Sequence, residues 1–209
     1  TLERNSEAVA NFVFPGLSDD KINLKGEYGI IGIKKIKSQL KDNNKVLLTL
    51  INNKFFDGKV SDINKIMYES KQTKNISGMI MRLPYLKFFS TKFFNIFTHL
   101  SNLVEGKLGS STIFIYSNLV KVGIEIFQEI LLENGYLEYQ EDKNYNITND
   151  TIDYFTGKTY KKFIETEKDR VFYPATFLRI TGKGDEFAED LPSVKKVILD
   201  SVFNNIDNK

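Results

Sequence analysis

Residues 109–135 constrain the fold of this chain more than any other stretch. They open Gly-Ser-Ser-Thr-Ile-Phe-Ile-Tyr-Ser-Asn and continue Leu-Val-Lys-Val-Gly-Ile-Glu-Ile-Phe-Gln-Glu-Ile-Leu-Leu-Glu-Asn-Gly. Residues 112–116 are all β-branched or aromatic and carry no charge, the pattern of a strand buried on both faces of a parallel sheet. Ser117 or Asn118 then offers an N-cap. Ile124, Phe127, Ile130 and Leu131 recur at helical spacing, and Gly135 after Asn134 supplies a left-handed helix stop. A strand that passes through small polar residues into a helix is half of a βαβ unit. It aims free backbone N–H groups and the positive end of a helix dipole beyond the strand, where phosphate is favoured. Many such turns bind nothing, so a binding turn and a purely architectural one both remain open.

At 209 residues and 41% hydrophobic content, the chain has room for one large domain or one and a half. It contains no cysteine, which removes disulfides, thiolate zinc sites and a cysteine nucleophile. No apolar run approaches the ~20 residues of a bilayer span, and no signal peptide opens it. A soluble intracellular protein is expected. Net charge is only +2, but residues 21–92 carry fifteen Lys or Arg against five acidic residues, and residues 105–209 carry thirteen against eighteen. Such asymmetry marks a nucleic-acid face or merely a Lys-rich, Asn-rich composition.

Along the chain, residues 1–20 read as a connector able to add an edge strand, with Pro15-Gly16 ending it as a turn. Residues 34–40 and 60–70 predict helices, the second capped by Ser61 or Asp62 with Ile63, Ile66 and Met67 on one face. Residues 46–51 fit a strand or a buried helix equally. Residues 77–89 read as an extended entry broken by Pro84. Ser90 then caps the clearest helix, whose apolar face comprises Phe93, Phe94, Ile96, Phe97, Leu100, Leu103 and Val104. The lone His99 is a helix-flank residue, with no second His or Cys to complete a metal site. After Gly135, residues 136–139 predict a short strand, 140–150 a loop, 161–168 a short helix and 171–181 the next parallel strand. A Gly182-Lys183-Gly184 loop follows, and Asp190 opens a last helix with Val194, Val197, Ile198 and Val202 buried. The expected class is α/β, a parallel sheet flanked by helices, preceded by a mixed, mainly helical basic segment.

Few motifs carry chemistry. Gly157-Lys158-Thr159 imitates the end of a phosphate loop, but Ile152 stands where the pattern needs its first glycine. Gly106-Lys107 fails because Leu108 occupies the Ser/Thr place. Gly182 and Gly184 follow a strand, which suits a ligand loop or a plain surface loop. Glu186, Glu189 and Asp190 lack calcium-loop spacing and sit where a helix dipole favours acids. No serine lies in a nucleophile elbow, so no catalytic residue and no metal ligand is nominated.

Residues 112–123, Thr-Ile-Phe-Ile-Tyr-Ser-Asn-Leu-Val-Lys-Val-Gly, resemble the opening strand and turn of the second RecA-like lobe of superfamily 2 helicases, called motif IV. The flavour is that of large DNA viruses, similar to poxvirus nucleoside triphosphatase I, the early transcription factor small subunit and mimivirus-type helicases. Residues 3–17, 86–94, 134–139, 151–159 and 172–181 fit the same group. The resemblance implies a connector and basic inter-lobe segment at 1–85 and the first part of the C-terminal RecA-like lobe at 86–209. Walker A and B would lie upstream of Thr1, and motifs V and VI downstream of Lys209, so the chain reads as a middle portion. ATP and Mg would serve the full-length parent and not be bound by this portion, which should hydrolyse no ATP alone. The resemblance also implies that Tyr116, Ser117, Asn118 and Lys121 face a DNA or RNA backbone. Viral RNA polymerase or other virion proteins are the further partners it suggests, in a virion or the host cytoplasm, with no membrane. A non-catalytic α/β interaction domain in a viral transcription or packaging assembly is the alternative.

Overall fold

The computed structural model describes residues 11–106, 112–180 and 193–203. The expectations for Gly182-Lys183-Gly184, Glu186, Glu189 and the helix start at Asp190 fall outside these residues.

Strand β1 (Val13–Leu17) pairs antiparallel with β2 (Leu24–Tyr28), from Val13 opposite Tyr28 to Leu17 opposite Leu24. Pro15-Gly16 therefore lies inside a strand and is not a turn. A ladder with one partner leaves alternate N–H groups of β1 unpaired, so proline costs it nothing at such a position. Gly16 is required by close approach, because a Cβ there would meet the Glu27 side chain at 2.7 Å. Helices α1 (Gly29–Asp42) and α2 (Asn44–Phe55) follow almost without a break. Gln39 of α1 completes the hairpin, accepting from the Leu17 N–H at 2.9 Å and donating to its carbonyl at 3.1 Å. The ambiguous 46–51 stretch is helical, and Leu47, Leu48 and Ile51 form its buried stripe.

The helix expected over 60–70 does not form. Asn52 of α2 donates to the Val60 carbonyl at 3.0 Å and accepts from its N–H at 3.2 Å, which ties the start of the segment to α2. Only a 3-10 turn at Ile63–Lys65 remains, with Asp62 accepting from the Asn64 N–H. A small hairpin then pairs β3 (Tyr68–Glu69) with β4 (Ile76–Ser77). Pro84 does not break an extended entry either. It occupies the first turn of the short helix α3 (Leu83–Leu86), where its missing N–H has no intrahelical partner to lose. Helix α4 (Thr91–Val104) is as expected: Ser90 accepts from the Phe93 N–H at 3.0 Å, and Phe93, Phe97, Leu100 and Val104 are buried. Each such side chain contributes about 1.5–3 kcal/mol of burial.

Helix α5 (Glu125–Glu133) is preceded by a π turn at Val120–Ile124 and ends at Asn134 and Gly135, whose φ is +88°. β5 (Leu137–Glu138) pairs parallel with β6 (Thr176–Phe177), and helix α6 (Tyr160–Thr166) is capped by Thr159. The short helix α7 (Ser193–Ile198) leaves Val197 64% exposed, against the expected buried stripe. The class is a mixture of helices and small sheets, broadly compatible with α/β. The large parallel sheet is not seen: the described residues hold three two-stranded sheets, one of them parallel. Residues 113–116 are extended but pair with no described strand, and Phe114 and Tyr116 are 83% and 78% exposed. Uniform apolar composition hid an alternation in which the isoleucines turn toward the core and the aromatic rings turn out.

One hydrophobic core runs from Phe12 to Ala175. A polar seam crosses it. Helix α5 buries Glu125, Gln128 and Glu129 along with its apolar residues. Thr73 donates to Glu129 at 2.6 Å, and Tyr68 donates to Glu133 at 2.6 Å. Arg82 donates to Glu133 at 3.2 Å. Asn134 donates to the Met81 carbonyl at 2.9 Å and accepts from the Leu83 N–H at 2.8 Å.

Replacing Glu133 by alanine strips an acceptor from a hydroxyl and a guanidinium, and should cost about 1.5–3 kcal/mol. Glu133→Gln, which keeps an acceptor but loses the charge, should cost less. Urea denaturation of both variants checks the order; equal losses would show that a neutral acceptor replaces none of the interaction, and a costless Glu133→Gln would deny the charge any role. The same seam sets a pH response. Burial, with help from Glu133, raises the Tyr68 hydroxyl from 10.0 to about 12, and burial raises Tyr136 to about 12. The folded chain holds these protons more tightly than the unfolded one. Their contribution is therefore complete below pH 10 and disappears as pH rises through 12. Denaturation midpoints measured from pH 9 to 12 should fall, and Tyr68→Phe should remove part of the fall.

Candidate nucleic-acid interface

The turn after residues 113–116 is built by Ser117 and Gly123. The Ser117 hydroxyl accepts from the Leu119 N–H at 3.1 Å and closes a local turn. It is not an N-cap. The cap position of the π turn is Leu119, which lacks a side-chain cap bond. The reason is steric: Gly123 brings the first helical turn so close that a Cβ there would lie 2.4 Å from the Ser117 hydroxyl. Asn11 and Asn75 anchor the back of this turn by donating to the Val122 and Lys121 carbonyls at 3.1 and 2.9 Å.

Of the four residues predicted to contact a backbone, Tyr116, Asn118 and Lys121 face solvent, while Ser117 is half-buried in the turn. Lys121 lies 3.0 Å from both carboxylate oxygens of Glu125, which also attracts Arg179 at 3.9 Å. The side chain of Lys121 stays 58% exposed, so its cation can exchange this partner for a phosphate. The geometry thus brings an aromatic ring, an amide and a cation to one outward turn at a helix start.

Other motifs hold no ligand. Lys158 is engaged by Glu167 and by Thr166, and a Cβ on Gly157 would strike Glu105 at 2.5 Å. That glycine serves packing, and no phosphate cradle surrounds it. Lys158 in turn holds the Glu167 carboxyl below its usual range. His99 is exposed on α4. Among the described residues, no group of three or more His, Asp or Glu could hold a metal, and no helix is long and apolar enough to cross a membrane.

The basic stretch is largely solvent-facing, and its charges are unevenly answered. Lys35 pairs with Glu27, Lys37 with Glu69 and Arg82 with Glu133. Lys54 and Lys87 have no carboxylate partner among the described residues and instead sit over the rings of Phe55 and Phe88, at 5.5 and 5.4 Å. Sequence reasoning passed over these residues, although the triplet Lys-Phe-Phe, present at 54–56, 87–89 and 92–94, was a visible signal.

Across its whole length, the chain is similar to a viral protein. It is 46% identical over 216 aligned residues to a protein of Acanthamoeba polyphaga mimivirus named "Putative ATP-dependent RNA helicase". The chain spans 19% of that relative's length. No family model matches the chain, and no solved structure matches it.

The close approach of Gly123 to Ser117 makes a prediction. Gly123→Ala must push the helix start away from the turn, and should destabilise the chain by about 1–3 kcal/mol. Thermal denaturation checks this, and Ser117→Ala in the same chain should recover part of the loss by making room. An unchanged melting temperature for Gly123→Ala would contradict the packing described.

Proposed function

We propose that this chain is a segment of a viral nucleic-acid-dependent ATPase or helicase. In this reading residues 1–85 form the connector and basic inter-lobe segment, and 86–209 form the first part of a second RecA-like lobe. Similarity over the whole of this chain to a 19% stretch of the mimivirus protein is the observation that carries the reading. The exposed turn supports it, as do residues 113–116, whose isoleucines are covered while their aromatic face is open. Such a strand suits a sheet completed by another part of a longer protein.

Within this role, Tyr116, Ser117, Asn118 and Lys121 contact the sugar-phosphate backbone. The Asn118 amide and the helix-start N–H groups donate to phosphate oxygens, Lys121 adds charge, and Tyr116 offers a ring to an unstacked base. Ser117 acts from behind by holding the turn. These contacts read backbone and not sequence, as a translocating motor needs. ATP and Mg belong to residues elsewhere in the parent, because nothing around Gly157 or Lys158 fits a triphosphate.

Replacing Ser117, Asn118 and Lys121 together by alanine should weaken single-strand binding with little sequence preference. Loss of one ionic contact should flatten the log–log salt slope by about 0.7. Anisotropy titrations at several salt concentrations, beside melting curves on the same protein, check this. Reduced stability with unchanged affinity and slope would make the turn architecture alone.

A further inference from the structure

The Lys-Phe-Phe triplets at 54–56 and 87–89 meet on one surface, whereas the third, at 92–94, lies in α4 with Phe93 buried. The rings of Phe55 and Phe88 lie 5.7 Å apart, and Phe55 meets Phe89 edge-on at 4.8 Å. Phe89 is buried and touches both rings, and the buried Phe56 packs on Tyr85. Phe88 is left 53% exposed. A phenylalanine that burial does not explain, beside two cations that no carboxylate answers among the described residues, is a combination with a recognisable chemical use.

We propose that Lys54, Phe55, Lys87 and Phe88 form a stacking platform for single-stranded nucleic acid, separate from the turn at 116–121. An unstacked base lies on the open face of Phe88, and the two ammonium groups take the phosphates on either side. The platform rests on the reading that the parent protein works on nucleic acid. Charge favours this occupant over a protein segment. A cleft of about 450 Å³ adjoins Phe55, lined also by Phe56 and Tyr85. There Lys59 lies 3.1 Å from Asp57 and Lys65 3.9 Å from Asp62, whereas Lys54 and Lys87 have no carboxylate partner among the described residues.

The other exposed aromatic group makes a useful contrast. Phe155 and Tyr173, each 51% exposed, border a smaller cavity of about 340 Å³ with Arg170. Arg170 is drawn to Glu167 at 3.8 Å, and the buried Asp153 accepts from the Thr156 and Tyr173 N–H groups at 2.8 and 2.9 Å. That cavity thus pairs its one lining cation with a carboxylate and adds the buried Asp153 carboxylate, whereas the Phe55–Phe88 pair has two lysines over its rings and no carboxylate partner for either among the described residues.

The chain contains no tryptophan, so Phe88→Trp introduces a single fluorescent reporter. Labelled 12-mer oligo(dT) and a 12-base-pair duplex serve as probes, with anisotropy reporting affinity and indole emission reporting stacking. The single strand should quench the indole at saturation and the duplex should not. Phe88→Ala should weaken single-strand binding by roughly five- to a hundred-fold, while Phe88→Tyr retains it. Lys54→Ala with Lys87→Ala should flatten the salt slope by about 1.4. Circular dichroism should show all variants folded, since the altered side chains are largely exposed. Unquenched indole at saturation, with affinity and slope unchanged in Phe88→Ala and the lysine pair, overturns the platform and assigns Phe88 to a protein contact. If the turn variant alone then weakens binding, the nucleic-acid reading stands without the platform. If the unaltered chain binds neither probe at 50 mM salt, both fail.

Discussion

Three carboxylates on α5, one turn apart, dictate much of how this chain packs. Glu125, Glu129 and Glu133 belong to a helix that is buried on nearly every side, so they cannot rely on water. Each finds partners outside α5: Lys121 donates to Glu125, which also attracts Arg179, Thr73 donates to Glu129, and Tyr68 and Arg82 donate to Glu133. The β3–β4 hairpin and the segment leading to α3 are held in place by that demand. Asn134, with bonds to Met81 and Leu83, continues the same line past the helix end.

This seam changes what the charge distribution means. Some of the acidic excess after residue 105 is spent inside the molecule and does not project toward a ligand. The lysines of the earlier stretch mostly point outward, and Lys54 and Lys87 do so without carboxylate neighbours among the described residues. A chain with net charge +2 can therefore present a basic surface.

The sequence was most legible where a single local rule acts. Ser90 and the Phe93, Phe97, Leu100 spacing define α4, and Gly135 ends α5 with the expected positive φ. It was least legible where a distant side chain decides. Asn52 ties down Val60 and removes a helix, and Gly123 pressing on Ser117 turns an apparent cap into a support for Leu119. Residues 113–116 misled for a different reason. Isoleucine facing inward and phenylalanine or tyrosine facing outward look alike in composition, although their surroundings differ completely. Of the predicted contact residues, Tyr116, Asn118 and Lys121 face solvent and Ser117 is half-buried in the turn. The Phe55–Phe88 pairing could not be anticipated from spacing, because it depends on the end of α2 meeting residues 85–89, through the ring contacts Phe55–Phe89 and Phe56–Tyr85.

The central claim is that the carboxylate seam makes the basic and acidic halves one cooperative body. Native-state hydrogen exchange under increasing denaturant tests it most directly. Core amides of α2, at Leu47, Leu48 and Ile51, and of α5, at Ile126, Phe127 and Ile130, should merge into one global opening with a shared free energy and slope. Two separate openings, with α5 retaining protection after α2 has lost it or the reverse, would contradict it.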